Sequence, residues 1–373
     1  MKKLLEKPYI INKKEEKREV LNYISLIKYW SMILIIRMHI YERKKHKIDY
    51  GARMCEFLFV SSGFLVGYNY YKRAMQPTYN SSCKYTYKHL RAFYPLHIIN
   101  SLYCIHRHRY KKKFDLTDYE MFIFNFLLLK VWSNNRSLAI HFNGLSWFIS
   151  ALLFCYFFSP FLLEGIQNIN NSIIIFLIVS FIRVEIEELI NKGAKNFMNF
   201  NFHYGPIIRL MEFYLGMLMA PLFFKIKYLC DKNENKIYLR RCFTFIQIIF
   251  PVIIYFVMLE FNKKLLRCYF VLIFCVCIFI ISYDYGYLSN IINMKICKEI
   301  MSCQMEMYLL HISLNKILIK ILKSHFPKNE ELKFLINIEF IFIISYIYKK
   351  IFREKLAISM DKIVDFFKTY LFK

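Results

Sequence analysis

Lys28 and His39 lie eleven residues apart in the first apolar run of the chain, Leu21–Ile40. In an α-helix this spacing returns both to nearly the same face, separated by about 16 Å along the axis. An imidazole suits general-base chemistry at neutral pH, and an ammonium suits binding of a phosphate or another polar group. Ionisable groups are costly inside a bilayer and usually face the protein interior or water. The pair therefore marks a candidate site; the alternative is that both are interfacial and that Lys28 extends toward lipid headgroups.

A second basic pair, Lys88 and Arg91, lies at the entrance to a later apolar run. The two residues are three positions apart and share one helix face. They could hold the phosphates of a nucleotide-like ligand. Anchoring to lipid headgroups is the alternative.

Further polar and aromatic side chains inside apolar runs could shape a tunnel or orient His39. Each also has a structural alternative: an interfacial aromatic residue, an ion pair at i,i+3 spacing, or a packed histidine. These residues are Glu56, Trp147, Arg209, Glu212, Glu306 and His311.

The elements that must position these residues are helices in a membrane. Of the 373 residues, 57% are hydrophobic, and only 9 are Gly and 8 Pro. A helix needs about 20 mostly apolar residues to cross a bilayer. The sequence therefore predicts an all-α, polytopic integral membrane protein with about ten transmembrane helices. The predicted spans are 21–40, 54–71, 92–106, 147–165, 172–186, 206–224, 242–260, 265–282, 300–322 and 333–348.

Three segments are expected outside those spans. Residues 1–20 form a polar, cytoplasmic arm, residues 119–132 an extra short interfacial or re-entrant helix, and residues 350–373 an amphipathic tail on the membrane surface. The membrane domain itself is predicted to cover residues 21–349.

The net charge of +26 comes from 53 basic and 27 acidic residues. Most basic residues lie between apolar runs, which favours anionic lipid headgroups over nucleic acid as the partner. Their distribution favours a cytoplasmic N-terminus in the cell membrane. The eleven cysteines show no spacing typical of a metal site, so neither metal ligands nor disulfides are expected.

Six segments, in order, resemble the type 3 membrane acyltransferases. Lys28 and His39 are similar to their Arg/Lys-x10-His signature, and residues 56–65 to their second helix, EFFFVLSGFL. Lys88 and Arg91 with the following FYP resemble RxxRIYP. The remaining three resemblances are residues 147–160 to WFLSALL…Y…P, residues 209–217 to RLxEFxxGM, and residues 308–311 to YLLH.

The resemblance implies a stand-alone membrane O-acyltransferase, since no hydrolase domain of the SGNH type follows. It implies transfer of an acyl group, often acetyl, from coenzyme A to a hydroxyl of a cell-surface glycan, with acyl-CoA as donor substrate and no tightly bound cofactor. By position, His39 would be the general base, Lys88 and Arg91 would contact the coenzyme A phosphates, and Lys28 would lie near the pantetheine arm. Lys88 stands where the family has Arg, so a point charge replaces a bidentate fork.

Two other functions use the same residues differently. A polysaccharide exporter would share the cavity without thioester chemistry, although paired Gly/Pro-interrupted segments would then be expected. A scaffolding membrane subunit would not require Lys28 and His39 on one face.

Overall fold

The structure is a computed structural model and describes residues 21–40, 50–71, 77–110, 115–132, 139–191, 203–232, 234–260, 268–325 and 329–371. The predicted N-terminal arm, residues 1–20, lies outside the described residues. Throughout the described part the chain is helical, without a strand, which confirms the all-α class.

Fifteen α-helices occur within the described ranges, together with 3-10 turns at Lys130–Trp132 and Leu163–Ile166 and a π-helical turn at Tyr348–Phe352. The helices are α1 Asn22–Ile40, α2 Tyr50–Tyr70, α3 Tyr79–Arg109, α4 Leu116–Phe126, α5 Ser146–Leu162, α6 Ile169–Asn191, α7 Pro206–Leu218, α8 Ala220–Asp231, α9 Lys236–Glu260, α10 Phe270–Ile281, α11 Tyr287–Ile292, α12 Lys295–Met301, α13 Gln304–His325, α14 Glu330–Ile347 and α15 Arg353–Leu371.

Among the residues that the structure describes, three helical stretches are long and apolar enough to cross a membrane: Asn22–Ile40, Ser146–Ile166 and Pro206–Asp231. The number of ten spans therefore stays a prediction. Three predicted spans differ in detail. The run 300–322 is interrupted between the end of α12 at Met301 and the start of α13 at Gln304. The run 206–224 is divided at Met219, where Pro221 in the first turn of α8 favours a new helix start. The run 265–282 is helical only over the twelve residues Phe270–Ile281.

Helix α6, which is not one of those three stretches, has a divided surface. Its charged residues Arg183 and Glu187 are buried and pair with each other, whereas Leu177, Ile178 and Phe181 are largely exposed. An exposed face of large apolar side chains is the surface that lipid would cover. The paired charges Arg183 and Glu187 therefore do not oppose burial of the outer face in a bilayer, whereas Glu185, near the end of α6, is exposed.

The core is densest where α2 crosses α7, and glycine permits that crossing. A Cβ added at Gly63 would lie 1.7 Å from the Phe213 carbonyl oxygen, and one at Gly216 would lie 2.0 Å from the Val60 carbonyl oxygen. Small residues allow helix backbones to approach this closely in membrane proteins. The two glycines thereby bring Glu56 on α2 and Glu212 on α7 into the same part of the interior.

Helix α15 forms most of the predicted amphipathic tail and packs along α3. It exposes Ile363, Phe366 and Phe367, each about half exposed or more. Its acidic residues turn toward the N-terminal half of α3. Its position on a membrane surface stays a prediction.

Candidate functional site

His39 lies against His311. Their ring centroids are 5.2 Å apart, with the ring planes tilted by 38°. His39 is in the last turn of α1 and half-buried, whereas His311 is two turns into α13 and 1% exposed. The structure therefore joins the predicted base to one of the predicted orienting residues.

The tautomer of His311 follows from its surroundings. Its Nδ1 lies 2.8 Å from the Tyr308 carbonyl oxygen. Because a carbonyl oxygen only accepts hydrogen bonds, Nδ1 carries the proton and Nε2 presents a lone pair. Within the described part of the chain, buried Nε2 has no hydrogen-bond partner. A proton acceptor is thus held beside His39 in the interior.

Lys28 is half-buried on α1, and its Nζ donates to Ser62 Oγ of α2 over 3.3 Å. Ser62 belongs to the small-residue segment of α2 that ends at Gly63. Both Lys28 and His39 thus contact other helices of the bundle: Lys28 contacts α2, and His39 contacts α13.

Glu56, Arg209 and Glu212 belong to a different group, the buried charge cluster, which links α2, α6 and α7. Arg183 Nη2 lies 2.9 Å from Glu212 Oε1, and Arg183 Nη1 lies 2.6 Å from Glu187 Oε2. Glu212 also pairs with Arg209. The cluster consists of Arg53, Glu56, Arg183, Glu187, Arg209 and Glu212.

The three cations and three anions of this cluster cancel, as buried charges require. Sequence reasoning singled out Glu56, Arg209 and Glu212 but missed Arg53, Arg183 and Glu187. Arg183 and Glu187 stand four residues apart in an apolar run, which is the spacing of a helical ion pair and could have revealed them.

Trp147 lies inside the protein at 5% exposure, so the interfacial alternative for this residue is wrong. The Arg209 guanidinium stands 5.9 Å from the Trp147 ring centroid and 5.6 Å from that of Phe59. Trp147 therefore packs on the charge cluster.

Arg91 is engaged by the tail helix. Its Nη2 lies 2.8 Å from Asp361 Oδ2 and 3.5 Å from Glu354 Oε1. Tyr87, one turn earlier on α3, donates its hydroxyl to Asp361 Oδ1 over 2.6 Å. Lys88, the other predicted phosphate ligand, is exposed. Two carboxylates thus pair with the Arg91 guanidinium, which was predicted to bind phosphate.

Glu306 is buried at the start of α13, five residues before His311. Its Oε1 accepts from Arg353 Nη1, the first residue of α15, over 3.0 Å. The same helix that holds Arg91 is therefore also tied to the helix that carries His311.

These features define an all-helical protein with helices long and apolar enough to cross a membrane, and with half-buried His39 of its first helix against buried His311 of a late helix. A family model for an acyltransferase domain matches residues 21–348, which is most of the chain and contains every candidate residue named above except those of α15. The chain belongs to the type 3 acyltransferase family. Searches of curated proteins and of solved structures gave no match.

Proposed function

We propose that the protein is a membrane O-acyltransferase that moves an acyl group, acetyl in the first instance, from acyl-CoA to a hydroxyl of a cell-surface glycan. The observation that carries this proposal is the His39–His311 pair, with its ring centroids 5.2 Å apart, in a chain of an acyltransferase family. A half-buried imidazole next to a fixed proton acceptor suits removal of a proton from a hydroxyl.

In this proposal His39 is the general base. It takes the proton of the acceptor hydroxyl while that oxygen attacks the thioester carbonyl carbon. The ester C–O bond forms, the C–S bond breaks, and the proton passes from His39 to the coenzyme A sulfur. His311 is a positioning residue, because its lone pair at Nε2 can accept the N–H of the His39 ring and fix its orientation.

The donor arrives from the cytoplasm in this scheme, and the acceptor from the opposite side. Lys88 and Arg91 bind the coenzyme A phosphates, and Lys28 lies near the pantetheine arm, between them and His39. The separation of about 16 Å between Lys28 and His39 along one helix supports this order, since a long flexible donor can bridge it.

The test measures transfer of label. Purified protein is mixed with radiolabelled acetyl-CoA and membranes that carry the surface glycan, and label in the glycan is counted. We expect wild-type protein to transfer label and His39→Ala to be slower by about 10²–10⁴-fold, the range of general acid–base catalysis.

The matched control is His325→Ala, which removes an exposed histidine at the far end of α13 and should leave the rate unchanged. Equal labelling by wild-type protein and His39→Ala would overturn the role of His39 as base, and no label with either protein would end the enzymatic proposal. Mass spectrometry of the labelled glycan identifies the acyl group from its mass.

A further inference from the structure

Three side chains that commonly bind metals meet where α3 ends, α4 begins and the chain approaches α5. They are His108, Asp118 and His141, and their ligand atoms all lie within 4.8 Å of one another. His141 Nε2 is 2.7 Å and His108 Nε2 3.2 Å from the same oxygen, Asp118 Oδ1. Both imidazole rings therefore direct their Nε2 atoms toward the Asp118 carboxylate.

The carboxylate of this group is held rigidly. Asp118 is 1% exposed, its Oδ2 accepts the backbone N–H of Asp115 over 3.0 Å, and its own N–H donates to Asp115 Oδ1 over 2.9 Å. Asp118 is thus an oriented carboxylate ligand.

Hydrogen bonds from Lys130 also fix the backbone of the segment that carries His141. The buried ammonium of Lys130 donates to the His141 carbonyl oxygen over 3.0 Å and to the Asn143 carbonyl oxygen. The side chains of His108 and His141 are about a quarter exposed, whereas the Asp118 carboxylate and the Nε2 atom of His108 are buried.

The spacing matches a small tetrahedral ion. Zinc–ligand distances of about 2.0–2.1 Å place the ligand atoms of a tetrahedral site about 3.3 Å apart. The two nitrogen–oxygen distances, 2.7 and 3.2 Å, need only small outward shifts to reach this value. Two imidazoles and one carboxylate favour a transition metal over Ca²⁺ or Mg²⁺, which prefer oxygen ligands throughout.

We propose that His108, Asp118 and His141 bind Zn²⁺ and that the ion joins α3, α4 and the entry to α5. Three protein ligands leave a fourth position for water. The ion would attach the short helix α4, whose outer side chains Leu116, Tyr119 and Ile123 are exposed, to the long helix α3. This site is separate from the histidine pair, and its existence does not depend on acyl transfer.

The experiment measures bound metal in the full chain, purified in detergent without a histidine tag. The protein is stripped with a chelator, equilibrated with Zn²⁺, separated from free ion and analysed by mass spectrometry for zinc. We expect stoichiometric zinc in wild-type protein. In His108→Ala and His141→Ala we expect a loss of affinity larger than the about 10–100-fold that removal of a mere supporting residue causes.

The matched control is His106→Ala, which removes an exposed histidine two residues from His108 and should retain zinc. Asp118→Asn keeps the helix-capping acceptor and removes the ligand charge, so it tests the site if an alanine variant fails to fold. A second readout is the unfolding temperature, which Zn²⁺ should raise in wild-type protein and in His106→Ala alone. The proposal is overturned if wild-type protein binds no more zinc than the background level, or if wild-type protein and Asp118→Asn bind equal amounts of zinc.

Discussion

At the scale of single residues, the contact between His39 and His311 determines what each imidazole can do. The Tyr308 carbonyl fixes the proton of His311 on Nδ1, so only Nε2 remains to interact with His39 or a substrate. A residue that acts through another should affect turnover more than donor binding. This distinction separates a positioning role from simple packing.

We expect His311→Leu to lower kcat while the KM for acetyl-CoA stays unchanged, because leucine fills the space without an acceptor. The loss should be smaller than the about 10²–10⁴-fold effect of removing the base itself. Steady-state labelling at varied acetyl-CoA measures both constants.

The conservative variant His311→Gln keeps an acceptor near the position of Nε2 and should recover part of kcat. If the leucine and glutamine variants have the same kcat and the same pH profile, His311 has a packing role only.

At the scale of elements, the crossing of α2 and α7 controls where the charge cluster and the segment that contains Ser62 lie. We expect Gly63→Ala to destabilise the protein by about 1–3 kcal/mol or more, since the new methyl group would overlap the Phe213 carbonyl oxygen at 1.7 Å. The unfolding temperature in detergent measures the effect.

Gly144→Ala is the matched control, because a Cβ there meets the Ile140 carbonyl oxygen at an ordinary 3.5 Å. Similar unfolding temperatures for the two variants would show that the helices separate without cost.

The contact of α15 with α3 allows the proposed role of Arg91 to be tested from the opposite side. If Arg91 binds donor phosphates, Asp361 competes with them for the guanidinium, which lies 2.8 Å away. We therefore expect Asp361→Asn to lower the KM for acetyl-CoA, and Lys88→Ala combined with Arg91→Ala to raise it. Initial rates at varied donor measure both changes.

Glu234→Gln is the control for loss of an exposed acidic charge outside α15. An unchanged KM in both the Asp361 variant and the double variant would leave Arg91 with a structural role, in which it ties α15 to α3.

At the scale of the whole molecule, the sequence predicted the helices well because apolar runs are local signals. Every predicted span overlaps a helix of the structure. The partners across the fold were not predictable in this way. Nothing in the spacing of Arg183 indicates Glu212 on another helix, or that Asp361 meets Arg91.

The same limit applies to the candidate sites. His39 and His311 were each identified by type and position, but their contact depends on how α1 and α13 pack. The three residues of the proposed metal site were not predicted, because they lie on three segments with no regular spacing. Long-range contacts such as these follow from tertiary packing, which cannot be inferred from the spacing of residues in a single sequence.

At the same scale, the prediction of about ten transmembrane helices can be tested on α6. Its outer face carries Phe181 at 66% exposure and exposed Glu185 one turn later, while Arg183 is paired within the charge cluster. If α6 spans the membrane, a photoreactive amino acid at position 181 should form adducts with lipid, detected by mass spectrometry after illumination of protein in vesicles.

Two positions serve as controls for this probe. At buried Phe213 it should crosslink within the protein, and at exposed Tyr110, beyond the end of α3, it should give far less lipid adduct. Equal lipid adducts at positions 110 and 181, or none at 181, would remove α6 from the set of spans, because a lipid-facing helix must contact acyl chains along its apolar side.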